Sequence, residues 1–173
     1  MKYVALLRGV NVGTSKRVDM KTLKKLFESI GYTEVFTYIN SGNIQFSADE
    51  TQDKVEVDIQ EILCKNLGEG IKVLLKTKEQ MREIAETIPE EWKNDEEQKT
   101  DVAYLFKCIN RKEIADELPI KKEYIRILYV DGALIWNVKR KDYNKSQLNK
   151  IIGHKIYKEM TVRNVNTARY LGS

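Results

Sequence analysis

Val35-Phe36-Thr37-Tyr38-Ile39-Asn40-Ser41-Gly42-Asn43-Ile44-Gln45-Phe46 reads as two β-rich runs, residues 35–39 and 44–46, joined by Asn, Ser and Gly. β-Branched and aromatic side chains suit a pleated surface, while the polar and glycine residues between them supply a turn, so the stretch predicts a hairpin. Upstream, Asp19 stands where a helix N-cap belongs, Met20, Leu23, Leu26, Phe27 and Ile30 share one helical face, and Gly31 ends it. Earlier still, residues 3–7 form a continuous apolar run, as expected of a central strand covered on both faces. Downstream, Val55, Ile59, Ile62, Leu63 and Leu67 mark the buried side of a second helix. Ile71, Val73 and Leu75 then alternate with Lys72 and Lys76 in a last strand. The order β-α-β-β-α-β is the split βαβ, or ferredoxin-like, arrangement.

Thr77-Lys78-Glu79-Gln80 has the pattern of a capping box and predicts a linking helix to about residue 87. Residues 89–99 are acidic and polar and predict a loop. The same order then recurs: a strand over 102–108, a short helix over 111–117, and strands over 124–130 and 133–138. The last two flank Asp131-Gly132, the strongest hairpin signal in the chain. A helix over 146–152, an extended piece near Met160 and a terminal helix over 164–171 complete it. The expectation is an α+β chain of two ferredoxin-like units, or alpha-beta plaits, each with an antiparallel sheet. Residues 1–77 form the N-terminal domain; residues 78–173 hold the linking helix, the C-terminal domain and the terminal helix.

At 173 residues and 42% hydrophobic composition the chain can bury two such cores. A net charge of +4, from 30 basic and 26 acidic residues, permits phosphate binding without arguing for it. Cys64 and Cys108 form no CxxC pair and His154 is the single histidine, which argues strongly against a structural zinc site. Residues 1–8 are too short an apolar run for a leader and are interrupted by Arg8, so they read as a strand. No run reaches membrane-spanning length. A soluble cytoplasmic protein with reduced thiols is expected.

Topology makes one further stretch informative. A right-handed crossover sets strands one and two parallel, with strand three antiparallel between them. Arg8-Gly9-Val10-Asn11-Val12-Gly13, at the end of strand one, must then share a rim with Ser41-Gly42-Asn43. Arg8 and backbone N–H groups could cradle a phosphate or carboxylate there, with Asn11, Ser41 and Asn43 orienting it and Gly9, Gly13 and Gly42 allowing close approach. The alternative is that these residues satisfy one another and the backbone at a domain junction. The loop spells neither a P-loop nor a dinucleotide-binding fingerprint, and Asp19 opposes a phosphate on the following helix end.

This pair of motifs resembles a bacterial domain family catalogued as domain of unknown function 1697, whose members carry Arg-Gly-Ile-Asn-Val-Gly-Gly after the first strand and then a Ser-Gly-Asn hairpin. The likeness falls on Arg8, Gly9, Asn11, Val12 and Gly13, on Ser41, Gly42 and Asn43, and on Thr161, Arg163 and Asn164 of a C-terminal Thr-x-Arg-Asn-Trp stretch. Thr14 replaces the second glycine and Val165 the tryptophan. The resemblance implies two ferredoxin-like domains over nearly the whole chain and no assigned activity. Arg163 and Asn164 either complete the rim site from the second domain or serve as a packing residue and a plain N-cap.

Other chemistry finds little support. Lys139-Arg140-Lys141 with Tyr143, Asn144, Lys145 and Ser146 could track a nucleic-acid backbone or form a solvated loop. Neither residues 42–46 nor Tyr104, Phe106 and Trp136 match the aromatic spacing of an RNA-recognition motif. Ser41 has no histidine nearby, His154 no recognisable partner, and Cys64 reads as an inert buried thiol. No catalytic residue, metal or cofactor is expected. Three readings remain: a small anionic ligand at the rim, a nucleic-acid module using residues 139–145, or a protein–protein assembly module, with no membrane partner and the oligomeric state open.

Overall fold

β1 (Lys2–Arg8) is apolar on both faces and lies inside its sheet, as its composition requires. The computed structural model describes residues 1–11 and 17–173, which divide into two compact units, Met1–Met81 and Arg82–Ser173. In the first, β2 (Thr33–Tyr38), β3 (Asn43–Ser47) and β4 (Lys72–Thr77) join β1 in the order β2-β3-β1-β4, every adjacent pair antiparallel. Tyr3, Ala5 and Leu7 face α1 (Met20–Ser29) and α2 (Gln52–Leu67), packing with Leu23, Phe27, Val55, Ile59 and Leu63. Val4 and Leu6, on the opposite face, are buried as well.

Local chemistry fixes the ends of these elements. The Asp19 carboxylate accepts the Thr22 N–H at 3.0 Å. Past α1, Gly31 at φ +91° lets its N–H reach the Glu28 carbonyl and the Tyr32 N–H reach that of Phe27, which is a Schellman closure. At the start of α3 (Lys78–Glu86) the Thr77 hydroxyl accepts the Gln80 N–H at 3.1 Å while the Gln80 amide oxygen accepts the Thr77 N–H at 2.9 Å. The capping box is formed from both sides.

The second unit repeats the plan. β5 (Gln98–Leu105), β6 (Ile125–Val130), β7 (Ala133–Lys139) and β8 (Met160–Asn164) form an antiparallel sheet in the order β6-β7-β5-β8. Ala103, Leu105, Leu134, Trp136, Val138 and Met160 build its core with Ile114, Leu118, Leu148, Ile151 and Ile156. Each unit is thus a four-stranded antiparallel sheet in a βαββαβ, ferredoxin-like order. Here the expected helices shrink. Residues Lys112–Glu117 form a 3-10 turn, because Leu118 precedes Pro119 and is held extended. The helix expected over 146–152 divides into α4 (Tyr143–Ser146) and a 3-10 turn, Leu148–Gly153. Gln147 between them is left-handed at φ +59°, and the Ser146 hydroxyl donates to the Tyr143 carbonyl while accepting the Leu148 N–H, which competes with helical bonding. α5 (Val165–Gly172) closes the unit against β5 and β8. The acidic loop gives way to β5 at Gln98, and Trp92 within it is buried.

The core of the first unit holds a cluster of rings, with Tyr32 4.9 Å and Phe27 5.2 Å from Phe46 between centroids. The Tyr32 hydroxyl is buried without a hydrogen-bond partner, and burial first, then Asp58, Glu50 and Tyr3, push its pKa up to about 12. The folded chain therefore holds this proton more tightly than the unfolded one, and the resulting stability, complete below pH 10, is lost as pH rises towards 12. Urea melts of Tyr32→Phe should show a gain of about 1 kcal/mol at neutral pH, from deletion of an unsatisfied hydroxyl. The variant should also lose less stability than the parent between pH 10 and 12.

Candidate functional site

At the rim of the first unit the β1–β3 ladder ends with Leu6 opposite Asn43, and the Leu7 N–H then donates to the Gly42 carbonyl at 2.8 Å. Gly42 is left-handed at φ +73°, and a Cβ on it would lie 2.8 Å from both Leu7 Cβ and Val10 Cγ2. Its missing side chain is what lets the hairpin seat on the end of β1. Gly9, at φ +88°, sits against the Gly70 carbonyl, 3.2 Å from where a Cβ would be. Both glycines admit close approach by the protein's own chain.

The amides hold this arrangement. Asn11, left-handed at φ +53°, donates Nδ2–H to the Val18 carbonyl and accepts the Val18 N–H on Oδ1, both at 2.8 Å. Its side chain thereby pairs as a strand backbone would and ties the two ends of the loop together. Gly13 lies outside the described residues. Asn43 is fully buried and donates Nδ2–H to the Tyr38 carbonyl at 3.0 Å and to the Ser41 hydroxyl at 2.9 Å. It braces a four-residue tip in which Ile39, expected to end the strand, is instead left-handed at φ +47°, a costly conformation for a β-branched residue. Arg8, the half-buried last residue of β1, stands opposite Lys72 in the ladder. The structure therefore brings Arg8, Gly9, Asn11, Ser41, Gly42 and Asn43 to one rim.

The second unit supplies an internal comparison. Its Leu105 N–H donates to the Gly132 carbonyl at 2.9 Å, the counterpart of the Leu7–Gly42 bond. Tyr104 there stands opposite Ala133 where Leu6 stands opposite Asn43, Phe106 follows where Arg8 follows, and the tip has two residues. Asn110, which sequence reasoning did not single out, organises that tip: it accepts the Gly132 N–H at 2.8 Å and the Tyr129 hydroxyl at 3.1 Å. An asparagine five residues past Leu105, echoing Asn11 four past Leu7, was the available signal.

The remaining candidates lie in the second unit. Asn164 is the N-cap of α5, its Oδ1 accepting the Thr167 N–H at 2.9 Å. Arg163 is 8% exposed and donates to the Thr161 hydroxyl at 2.8 Å and the Val162 carbonyl at 2.9 Å. Burial pulls its pKa down to about 10, against the opposing influence of Tyr104 and Tyr157, so it stays a cation at neutral pH. In the basic run, Arg140 binds the Asp95 carbonyl and the Asn94 side chain, Lys145 pairs with Asp142, and Glu96 and Glu97 share a groove with Lys139, Arg140 and Lys141. Tyr104 and Trp136 lie on opposite sheet faces, so they offer no common stacking surface. Cys64, expected to be buried, is exposed, because it falls beside Leu63 and outside the inward stripe of α2. His154 accepts the Ile156 N–H as a turn cap. Among the described residues no cluster of three His, Cys, Asp or Glu side chains is placed to hold a metal, and no helix is long and apolar enough to cross a membrane.

Fold and rim define a class: two ferredoxin-like units in one chain, the first carrying an arginine–glycine loop over a Ser-Gly-Asn hairpin. The chain belongs to the family described as protein of unknown function (DUF1697), whose profile matches residues 1–136. Among solved structures it is similar to the conserved bacterial protein SP0830 from Streptococcus pneumoniae, with 22% identity, a TM-score of 0.84, and 99% of this chain and 96% of that one covered. That likeness is one of fold. Among curated proteins no relative matches.

Gly31 and Gly42 separate two costs. Both are left-handed, but a Cβ at Gly31 meets nothing within 4 Å. Gly31→Ala should cost about 1–2 kcal/mol for backbone strain alone, and Gly42→Ala roughly 1–3 kcal/mol more, for overpacking against Leu7 and Val10. Chemical denaturation of the two variants checks the difference; equal losses would mean that the hairpin can lift off β1 freely.

Proposed function

We propose that the rim of the first unit binds a small anionic ligand bearing phosphate or carboxylate, with Arg8 as its counter-charge. The observation that carries this reading is the internal comparison. The second unit closes the same rim with the same leucine-to-glycine bond and does so without an arginine, without an asparagine at the Asn43 position and with a shorter tip. Arg8, the buried Asn43 and the four-residue tip are therefore what the first unit adds, each unit having its own rim asparagine in Asn11 or Asn110. A β-branched residue held left-handed, as Ile39 is in that tip, carries a cost that motivates a functional hypothesis for the segment.

In this reading the roles divide. Asn11 and Asn43, whose side chains are committed to backbone groups, hold the loop and the tip in place. Arg8 supplies charge and, with its fork of donors, geometry. Its ladder neighbour Lys72 adds a second positive charge at the strand end. Gly9, Gly42 and Ser41 shape the rim, and Arg163 and Asn164, spent on bonds in their own unit, are not required. The nucleic-acid reading has less in its favour, because Arg140 is engaged and Glu96 and Glu97 set negative charge beside the lysines. We place the protein in the cytoplasm, which suits the exposed free thiols of Cys64 and Cys108.

Thermal melts with inorganic phosphate, citrate, nucleoside monophosphates and sugar phosphates test the proposal. A ligand at a hundredfold excess over its Kd adds about 2.7 kcal/mol to the folded state. Arg8→Ala should abolish the shift while leaving the unliganded melt within about 1 kcal/mol of the parent, and Arg8→Lys should retain part of it as a point charge without the fork. A ligand shift that persists in Arg8→Ala, or a loss of several kcal/mol without ligand, would return Arg8 to a structural role.

A further inference from the structure

The second unit carries a feature that the rim does not use. A groove of about 540 Å3 runs between the 3-10 turn Lys112–Glu117 and β6, the outermost strand of its sheet. Ile125, Ile127 and Tyr129 line it from the strand, and Ala115 and Asp116 from the turn. Three apolar side chains two residues apart have the spacing of a strand, and they meet an occupant that shares it.

The backbone of β6 specifies that occupant further. The tip joining β6 to β7 has two residues, so Val130 and Ala133 exchange hydrogen bonds, and bonded pairs then alternate along the ladder. Leu128 and Arg126 therefore bond inward to β7, while Ile127 and Tyr129 direct their N–H and C=O groups away from the sheet. Among the described residues no backbone hydrogen bond outside the ladder engages Ile127 or Tyr129. Two donors and two acceptors at strand spacing are satisfied in register by another extended backbone.

Protein edges usually carry a guard, and the other outer strand facing a hairpin does. β2 is bulged between Thr33 and Phe36, with Glu34 left-handed at φ +50° and paired with Lys2 at 3.7 Å. β6 runs unbulged through six consecutive pairs. Its one charged residue, Arg126, folds back over the Trp92 ring, 5.4 Å from its centroid, and donates to Asn137.

Charge selects the chemistry of the partner. The groove's ions balance, Lys112 and Lys122 against Glu113 and Asp116, with Lys122 and Asp116 bonded to each other. A neutral segment fits this lining; a strongly acidic or basic one does not. The turn also walls one side of the edge, which leaves a slot suited to a strand from a flexible partner more than to the edge of a second folded sheet. We propose that β6 and the turn Lys112–Glu117 form a docking groove for an extended, uncharged peptide segment of a partner protein, with apolar residues at alternate positions, added to the sheet as a fifth strand.

The test uses the full 15N-labelled chain and the capped peptide acetyl-Thr-Val-Thr-Ile-Thr-Val-amide. Binding should move the amide signals of Ile127, Tyr129 and the turn Lys112–Glu117 and slow exchange of the first two. Ile127→Pro removes an N–H that the ladder does not use, and Ile127→Lys keeps that N–H but puts a charge in the groove. Each should weaken the peptide by about tenfold or more, with unchanged β7 signals confirming the fold. The same peptide N-methylated at alternate residues should fail to bind. Unmoved signals at millimolar peptide, equal binding by the N-methylated peptide, equal binding by both variants, or dimerisation through β6 in place of peptide uptake would each overturn the proposal.

Discussion

One backbone hydrogen bond, from the Leu7 N–H to the Gly42 carbonyl, sets the geometry on which the first unit depends. It can form only because Gly42 has no Cβ, since one would strike Leu7 and Val10 at 2.8 Å. With that contact made, Leu6 falls opposite Asn43 and Tyr3, Ala5 and Leu7 all face the helices. A slip of one residue would turn that set outward and Val4 and Leu6 inward. Both faces of β1 are apolar, so side-chain pattern alone does not pin its register. The glycine contact at the strand end supplies the missing constraint.

Polar groups drawn into that closure must be paired, since an unpaired buried amide costs on the order of a few kcal/mol. Asn43 meets the requirement with Tyr38 and Ser41, and Asn11 with both backbone groups of Val18. The rim is consequently stiff where its amides lie, and its charge resides at Arg8, opposite Lys72. Arg8 and Lys72 thus set two positive charges on neighbouring strands at this end of the sheet. In the proposed reading, these braced amides would hold the loop and tip in place around the cationic strand end before a ligand arrives.

Much of this was legible in the residues. The β-rich runs around Ser41 and Gly42, the Asp19 cap, the Thr77–Gln80 box and the Asp131-Gly132 turn are local signals with local causes, and each produced its element. The convergence of Arg8 with Asn43 also followed, because crossover handedness leaves one arrangement of four strands. What sequence did not disclose were choices made by packing. Whether Asn11 reaches a ligand or Val18 depends on where a chain seven residues on returns. Cys64 sits one position beyond Leu63 on α2, and that rotation moves it from core to surface. The left-handed turn at Gln147 and the loss of helix near Pro119 come from competing side-chain and backbone bonds that periodicity does not register.

Two copies of one topology in a single chain also act as controls for each other. What both retain, the leucine-to-glycine bond and the strand order, belongs to the fold. What only one carries calls for a different explanation, and the differences fall in separate places. The first unit elaborates its rim with an arginine, a clasped loop and a braced tip, while its outer strand β2 is bulged and charged against pairing. The second has a two-residue tip organised by Asn110, with Ala133 and Phe106 where Asn43 and Arg8 stand, while its outer strand β6 is straight and open beside a groove. The arginine-bearing rim thus falls in one unit and the unguarded edge in the other. A protein that needed only stability would guard both edges and simplify both rims. This division is the ground for proposing a small charged ligand at the first unit and a polypeptide at the second.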